Sequence, residues 1–418
     1  MKKRHGVLGL LCVVSTITFL DRLAIPSAES GIRGDLHLSP EQWGWVLSAY
    51  VLANALFEIP SGAMGDRAGQ RLELTRITVW WSAFTAITAR CRAFWQMAGA
   101  RFLFGAGAAG AYPNAAGVIS RWFPRNEHAR AQGFVWAAGR LGGALAFPLL
   151  VPLQQHFGWH SIFYVLGAVG LLWSLAWWAW FRNDPAEMPG IAAEEIAEIR
   201  AGQIARGSLH QGVPWARLFA LPQLWLIALA YFCYAWGSWF YFGWFTTWLV
   251  RGAGLSVTQM GMFASFPFLM GLAGNLIGGT LSERLVERHG RRSAYRWVTS
   301  VCLIVSSGLL LSMSIVRGHA AIVVLATLGF GVMDLMLPSA WAMCMSIGGQ
   351  YGGTATGVMN TAGNLGGWVC TVLFGYVVKA TGNYNLPLRA VAAMVFVAAL
   401  IFSRIDCTKG LPENSPAR

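Results

Sequence analysis

Apolar segments long enough to cross a lipid bilayer as helices recur along this chain from one end to the other. A helix needs about 20 apolar residues to span the hydrocarbon core. Twelve such stretches can be read, at approximately 6–27, 41–64, 74–90, 93–120, 128–154, 159–181, 222–250, 258–282, 294–316, 319–345, 353–379 and 386–403. Composition agrees: only 12% of the residues are charged and 56% are hydrophobic, where a soluble domain carries about 25% charge. The fold expected is an all-α membrane protein of twelve transmembrane helices in two six-helix bundles. Its 49 glycines suit closely packed membrane helices.

The net charge of +13 comes from loops. With the N-terminus and alternate loops on one side, that side holds 21 of the 31 Lys and Arg, the opposite loops hold seven, and three lie inside spans. This bias is the positive-inside pattern, and it places both termini in the cytoplasm of a bacterial-type inner membrane. Basicity is therefore topological, and no nucleic-acid partner is expected. The seven cysteines lack metal-ligand spacing and read as small core residues, with no metal or cofactor implied. The basic start followed by an apolar run has no small-residue cleavage site before Asp21 and reads as a retained first helix.

Six spans precede residue 182 and six follow residue 221. The division expected is an N-terminal bundle over 1–181, a cytoplasmic linker over 182–221, a C-terminal bundle over 222–404 and a cytoplasmic tail over 405–418. Within the linker, Ile191 to Ile204 fits a short amphipathic helix with Glu194, Glu195 and Glu198 on its polar face. An internal repeat supports the division. Gly62, Asp66, Arg67, Gly69 and Arg71 follow the second span, and Gly279, Glu283 and Arg284 follow the eighth, each copy with Gly four residues before an acid–Arg pair. Glycine there lets helices approach closely, and the acid can sit at the N-terminus of a helix opposite.

The loop Gly62-x-x-x-Asp66-Arg67-x-Gly69-x-Arg71 resembles the signature of the major facilitator superfamily. Further stretches resemble its anion:cation symporter branch, which includes bacterial sugar-acid transporters and the vesicular glutamate and sialic acid transporters. They are Asp21-Arg22, Arg101-Phe-Leu-Phe-Gly105, Tyr112-Pro113, Trp122-Phe123-Pro124, Gly139-Arg140-Leu141-Gly142-Gly143 and Gly357-Val358-Met359-Asn360-Thr361-Ala362-Gly363-Asn364. The resemblance covers the whole chain. It implies alternating access to a substrate held near the bilayer midplane between the two bundles.

Ionisable residues inside a membrane mark a pathway by default. Arg22, Arg101 and Arg140 lie within spans, as do Asp21, Glu58 and Asp334. Arg140 is too deep to snorkel, and guanidinium grips carboxylate or phosphate with a two-pronged fork. Arg22 and Arg140 are thus the expected anion contacts. Asp334 has no charged residue within ten positions, so it either pairs with an arginine across the bundle or titrates. It and Asp21 are the expected proton carriers. Glu58 is expected to pair structurally with the loop, and Arg101 to act as a gate or structural partner.

Asn360 and Asn364 lie one turn apart, as do Tyr50 and Asn54, and each pair shares a face suited to substrate hydroxyls. The resemblance supports Asn360 as a substrate contact and Trp341 as a lining ring. Tyr234 and Tyr241, seven apart in an aromatic-rich span, complete the expected lining. One departure matters: sugar-acid members of the branch carry a glutamate, linked to proton coupling, where this chain has Ala108. Ser346 also stands where many members have aspartate.

The run Gly105-x-Gly107-x-x-Gly110 matches a dinucleotide fingerprint by letter, but it lies inside an apolar span and reads as helix packing. No Walker-type phosphate loop occurs, so transport would draw on an ion gradient or the substrate's own. The function expected is import of a small organic anion, a sugar acid or other carboxylate, by proton symport, with the protein acting as a monomer. The alternative is an exporter or exchanger without proton coupling. A receptor or membrane enzyme is disfavoured, because the chain offers no sensory domain and no nucleophile–base constellation.

Overall fold

The computed structural model describes residues 2–38, 40–200, 213–245, 248–256, 259 and 263–411. Among the described residues there is no β-strand. The chain runs through α1 (Lys3–Ser27), α2 (Glu29–Leu36), α3 (Pro40–Ala68), α4 (Gln70–Thr88), α5 (Phe94–Ala108), α6 (Ala111–Trp122), α7 (His128–Phe157) and α8 (Trp159–Trp180). It continues through the short α9 (Ala193–Arg200) and α10 (Trp215–Phe219) to α11 (Pro222–Trp239), α12 (Phe266–Met313), α13 (His319–Leu335), α14 (Leu337–Gly348), α15 (Gly352–Thr381) and α16 (Asn385–Phe402).

Several spans read as continuous are broken. The fourth is split into α5 and α6 at Gly110, whose φ of 81° is a left-handed conformation that glycine adopts freely. The tenth is split into α13 and α14 just before Pro338, which sits in the first turn of α14, where its missing N–H costs nothing. The eighth and ninth spans form one labelled helix, α12, with a non-helical turn at Gly290 (φ 76°, ψ 159°). The seventh leaves α-geometry at Phe240 and continues as π-turns over Phe240–Trp244 and Trp248–Gly252. By length and apolar composition alone, six helical stretches among the described residues qualify as membrane spans, and three of those six contain breaks just described.

In the first half α1 packs on α7 and α8, α3 on α5, and α4 on α8 and α5. In the second, α11 packs on α15 and α16, and α12 on α13 and α16. The halves meet along two seams, α3 against α15 and α7 against α12. Small residues make both possible: a Cβ on Gly62 would stand 2.6 Å from the Gly353 carbonyl oxygen, and one on Gly133 would stand 2.7 Å from that of Asn275. The opposite faces are apolar and exposed, Leu172 and Leu175 of α8 at 67% each, as side chains solvated by lipid must be.

The first and last described stretches of the chain lie at one end of the molecule. Glu195 of α9 accepts hydrogen bonds from the backbone N–H groups of Lys3 (3.0 Å) and Arg4 (2.9 Å) at the N-terminus of α1. α9 begins at Ala193, two residues into the expected linker helix, and residues 201–204 of that expectation lie outside the described residues. Glu195 is also buried rather than solvated, because it caps α1. At the same end Arg292 pairs with Asp406 (3.3 Å), and the Leu411 N–H donates to Ile347 (3.0 Å). The rest of the expected tail, residues 412–418, lies outside the described residues.

Candidate functional site: a buried charge cluster between the halves

Arg140, midway along α7, reaches across the interface to Asp334 near the end of α13. Its Nε donates to Oδ2 at 2.5 Å and its Nη2 to Oδ1 at 3.0 Å, the two-pronged geometry of a guanidinium–carboxylate pair. Arg140 is 2% exposed and Asp334 fully buried. Asn275 of α12 donates Nδ2 both to Asp334 Oδ2 (3.0 Å) and to the Gly271 carbonyl (2.8 Å). The guanidinium carbon lies 5.4 Å from the Phe19 ring centre, 5.2 Å from Phe242 and 5.1 Å from Phe330, within cation–π range. Such a pair is costly to bury, and breaking it leaves an uncompensated charge.

Arg22 approaches the same Phe19 ring, 5.2 Å from its centre, and lies 5.6 Å from that of Tyr50. Its Nε has no hydrogen-bond partner among the described residues. Tyr50, Tyr112 and Glu58 are within its electrostatic reach. Aromatic rings wall this region: Tyr112 stacks on Trp136 at 4.2 Å, and Trp136 meets Trp341 edge-on at 5.4 Å. Trp341 Nε1 donates to Tyr231 Oη (3.1 Å), and Tyr231 packs on Tyr234 at 5.1 Å.

The adjacent Asp21 and Arg22 serve different neighbours, as residues 100° apart on a helix must. Asp21, 3% exposed, faces α4 and accepts a long hydrogen bond from Thr85 (3.4 Å), with the Arg101 guanidinium within electrostatic reach. Arg101, on α5, lies 4.3 Å from Phe104 and 5.3 Å from Tyr50.

Glu58 is placed otherwise than its loop-pairing expectation. Its carboxylate accepts from the Nδ2 of Asn360 and, at 2.7 Å, from that of Asn364, both on α15 of the other half. Asn364 Nδ2 also reaches Asn54 Oδ1 at 3.2 Å. The cause is register: Gly357 of α15 lies against the Glu58 backbone, so the two asparagines one turn and two turns further on face this carboxylate. Tyr241 departs as well. The π-turn rotates the face it shares with Tyr234, and its hydroxyl donates to the Ala326 carbonyl (2.9 Å) while its ring packs on Phe330 and Phe245.

Towards the end that carries the termini, the repeated loops meet the opposite half. Asp66 accepts from the Thr354 backbone N–H (2.7 Å) and Oγ1 (2.8 Å), at the start of α15. In the second copy Glu283 pairs with Arg130 (3.1 Å), at the start of α7. Arg67 and Arg284 are exposed. Arg71 stacks 4.5 Å over Trp178 and donates to its carbonyl, and Gly69, at φ 93°, closes the turn against Asn183. Gly105 lies against the Tyr50 carbonyl as a helix-packing glycine. Ala108 is buried with no polar group of its own.

Sequence reasoning overlooked Tyr231, Tyr112, Trp136 and Asn275. Asn275 did carry a signal, as the one amide in the apolar, Gly-rich run from Phe266 to Gly279.

Two helical halves with opposed charges buried between them are an arrangement that many secondary transporters share. The sequence model described as Major Facilitator Superfamily matches residues 10–371, and the chain belongs to that family. It is 34% identical over 403 residues to a probable sulfoacetate transporter, SauU, of Cupriavidus necator, covering 96% of this chain and 93% of the relative. It is 27% identical to the hexuronate transporter of Bacillus subtilis, covering 100% and 98%, and 27% identical to that organism's probable galactarate/D-glucarate transporter GudP, covering 96% and 91%. The fold is that of the human organic anion transporter TETRAN (TM-score 0.75, 14% identity, 96% and 100% covered) and of the E. coli fucose:proton symporter FucP (0.71, 15%, 96% and 98%). The protein is a membrane transporter of that superfamily and not an enzyme.

Proposed function

We propose that the protein imports a small organic anion by proton symport, with Arg22 and Arg140 holding the substrate and the two bundles rocking around it. The observation that carries this reading is the Arg140–Asp334 pair between the halves, one aromatic ring away from Arg22. Arg22, Arg101 and Arg140 are balanced by Asp21, Glu58 and Asp334. An anion entering alone would leave unbalanced charge in a low-dielectric site, whereas an anion entering with a proton would not. Substrate on Arg140 releases Asp334 to take the proton, and Asp21 beside Arg101 is the other carrier.

The relatives' names divide between a two-carbon sulfonate-carboxylate and six-carbon sugar acids. Aromatic walls around Arg22 and Arg140 favour the compact anion; Asn54, Asn360 and Asn364 supply groups for hydroxyls. The positive-inside pattern puts both termini in the cytoplasm, with residues 1–181 and 222–404 as the moving bundles and the monomer as the unit. The test is uptake of sulfoacetate, D-glucarate, D-galactonate and a hexuronate into proteoliposomes under an inward proton gradient. Accumulation of at least one that collapses with the gradient is expected. Flux indifferent to the gradient would instead support exchange without proton coupling, a reading favoured by Ala108.

A further inference from the structure

Glu58 is a membrane-depth acid whose two hydrogen-bond partners are both neutral amides. It is 2% exposed in α3, and both its carboxylate oxygens are taken by amides from the other half, one from Asn360 and one from Asn364. The seam continues on either side of it, with Thr361 donating to the Ala55 carbonyl (3.3 Å) and Asp66 holding the start of α15. The charged and titratable groups around it are few. Arg22 faces it from α1 and Tyr231 from α11. Arg101 of α5 lies nearer Tyr50, up the same helix, and Glu73 of α4 is committed to Ser61 and Arg76 on the other side.

We propose that Glu58 is a proton-operated clasp joining the halves, which ties protonation to anion binding at Arg22 and to opening of the α3–α15 seam. The inference rests on the anion-transport reading above and gives Glu58 a role that the reading leaves to Asp21 and Asp334. Ionised, the carboxylate accepts both amides as charge-assisted bonds and balances Arg22. A proton arriving from water on one Oε turns that oxygen into a donor, which no longer accepts its asparagine as strongly. One cross-half bond is weakened, and Arg22 loses the carboxylate charge that faces it. An anion on Arg22 restores neutrality, so proton and anion bind together and each raises the affinity for the other. The seam therefore loosens most readily in the doubly loaded state, where the bound anion holds in place the proton that weakens the clasp. The proton leaves Glu58 on the far side once the anion has gone, and the clasp re-forms.

The experiment is proton uptake measured with a pH-indicator dye on detergent-solubilised protein, as sulfoacetate or D-glucarate is added. Wild type takes up protons on binding. In Glu58→Gln, which keeps shape and one acceptor oxygen, the uptake falls by about one proton per bound anion. Uptake equal to wild type in that variant overturns the proposal. Should the variant not fold, infrared difference spectra of wild type on anion addition serve instead. A protonated-carboxyl band that moves in Asn364→Ala supports the clasp, and a spectrum without such a band, or with one unmoved, overturns it. Wild type that binds none of the four anions in the uptake test would bring down the transport reading itself, a result distinct from an anion-binding wild type matched by Glu58→Gln.

Discussion

Two contacts that cross the interface at membrane depth are built on opposite electrostatic plans. Arg140 and Asp334 neutralise each other completely, two full charges in two short bonds with Asn275 behind them. Glu58 is a single charge held by two neutral amides. Cutting the first strands a buried charge; cutting the second removes a charge and leaves two amides that can turn to each other or to Asn54. The difference separates a site that needs a replacement anion before it can open from a seam that a proton alone weakens.

The largest effect that could break this contrast lies at Arg140. Arg140→Ala leaves Asp334 buried without its partner and is expected to cost about 3–5 kcal/mol of stability, seen as a lower unfolding temperature in detergent, together with loss of anion uptake. Adding Asp334→Asn should return most of the stability and none of the uptake. A single variant as stable as wild type would mean that the pair is not closed in the resting protein.

The next effect falls on the seam's packing. A Cβ on Gly62 meets the Gly353 carbonyl at 2.6 Å, backbone against backbone with nothing flexible to yield. Gly62→Val is expected to wedge α3 from α15, at a cost of about 1–3 kcal/mol typical of overpacking. It should raise the labelling rate of a cysteine placed at Thr354 by several-fold. Glu58→Gln should sharpen the contrast by costing only about 1 kcal/mol in stability, since a neutral amide still bonds to one asparagine, while it changes the proton count. The smallest effect belongs to the second loop copy. Arg130 is 38% exposed on its side chain opposite Glu283, so Glu283→Gln is expected to cost about 0.2–1 kcal/mol and less in high salt.

The fold was legible because lipid leaves helices little choice: apolar length, Gly content and loop charge carry most of the information. The breaks were not. Gly110 is one of many glycines, and only its left-handed backbone, seen in the structure, marks it as the end of α5. Of the site, the deep arginines and acids announced themselves by their cost in a membrane, and the sequence allowed Asp334 an arginine partner across the bundle without saying which. Partnerships set by helix register were hidden. Glu58 reads locally as a loop acid beside Pro60 and Gly62, yet its partners lie some 300 residues away in sequence. Tyr241 was misjudged because seven residues return to the same face only if the helix stays α, and here it becomes π at Phe240.

The central claim is that an anion replaces Asp334 on Arg140 and that a proton accompanies it. The most direct test is uptake of sulfoacetate and the three sugar acids into proteoliposomes by wild type and Arg140→Ala, with and without an inward proton gradient. The account predicts gradient-driven accumulation of at least one anion by wild type and none by the variant. Equal accumulation by both, or wild-type uptake unchanged when the gradient is abolished, would contradict it.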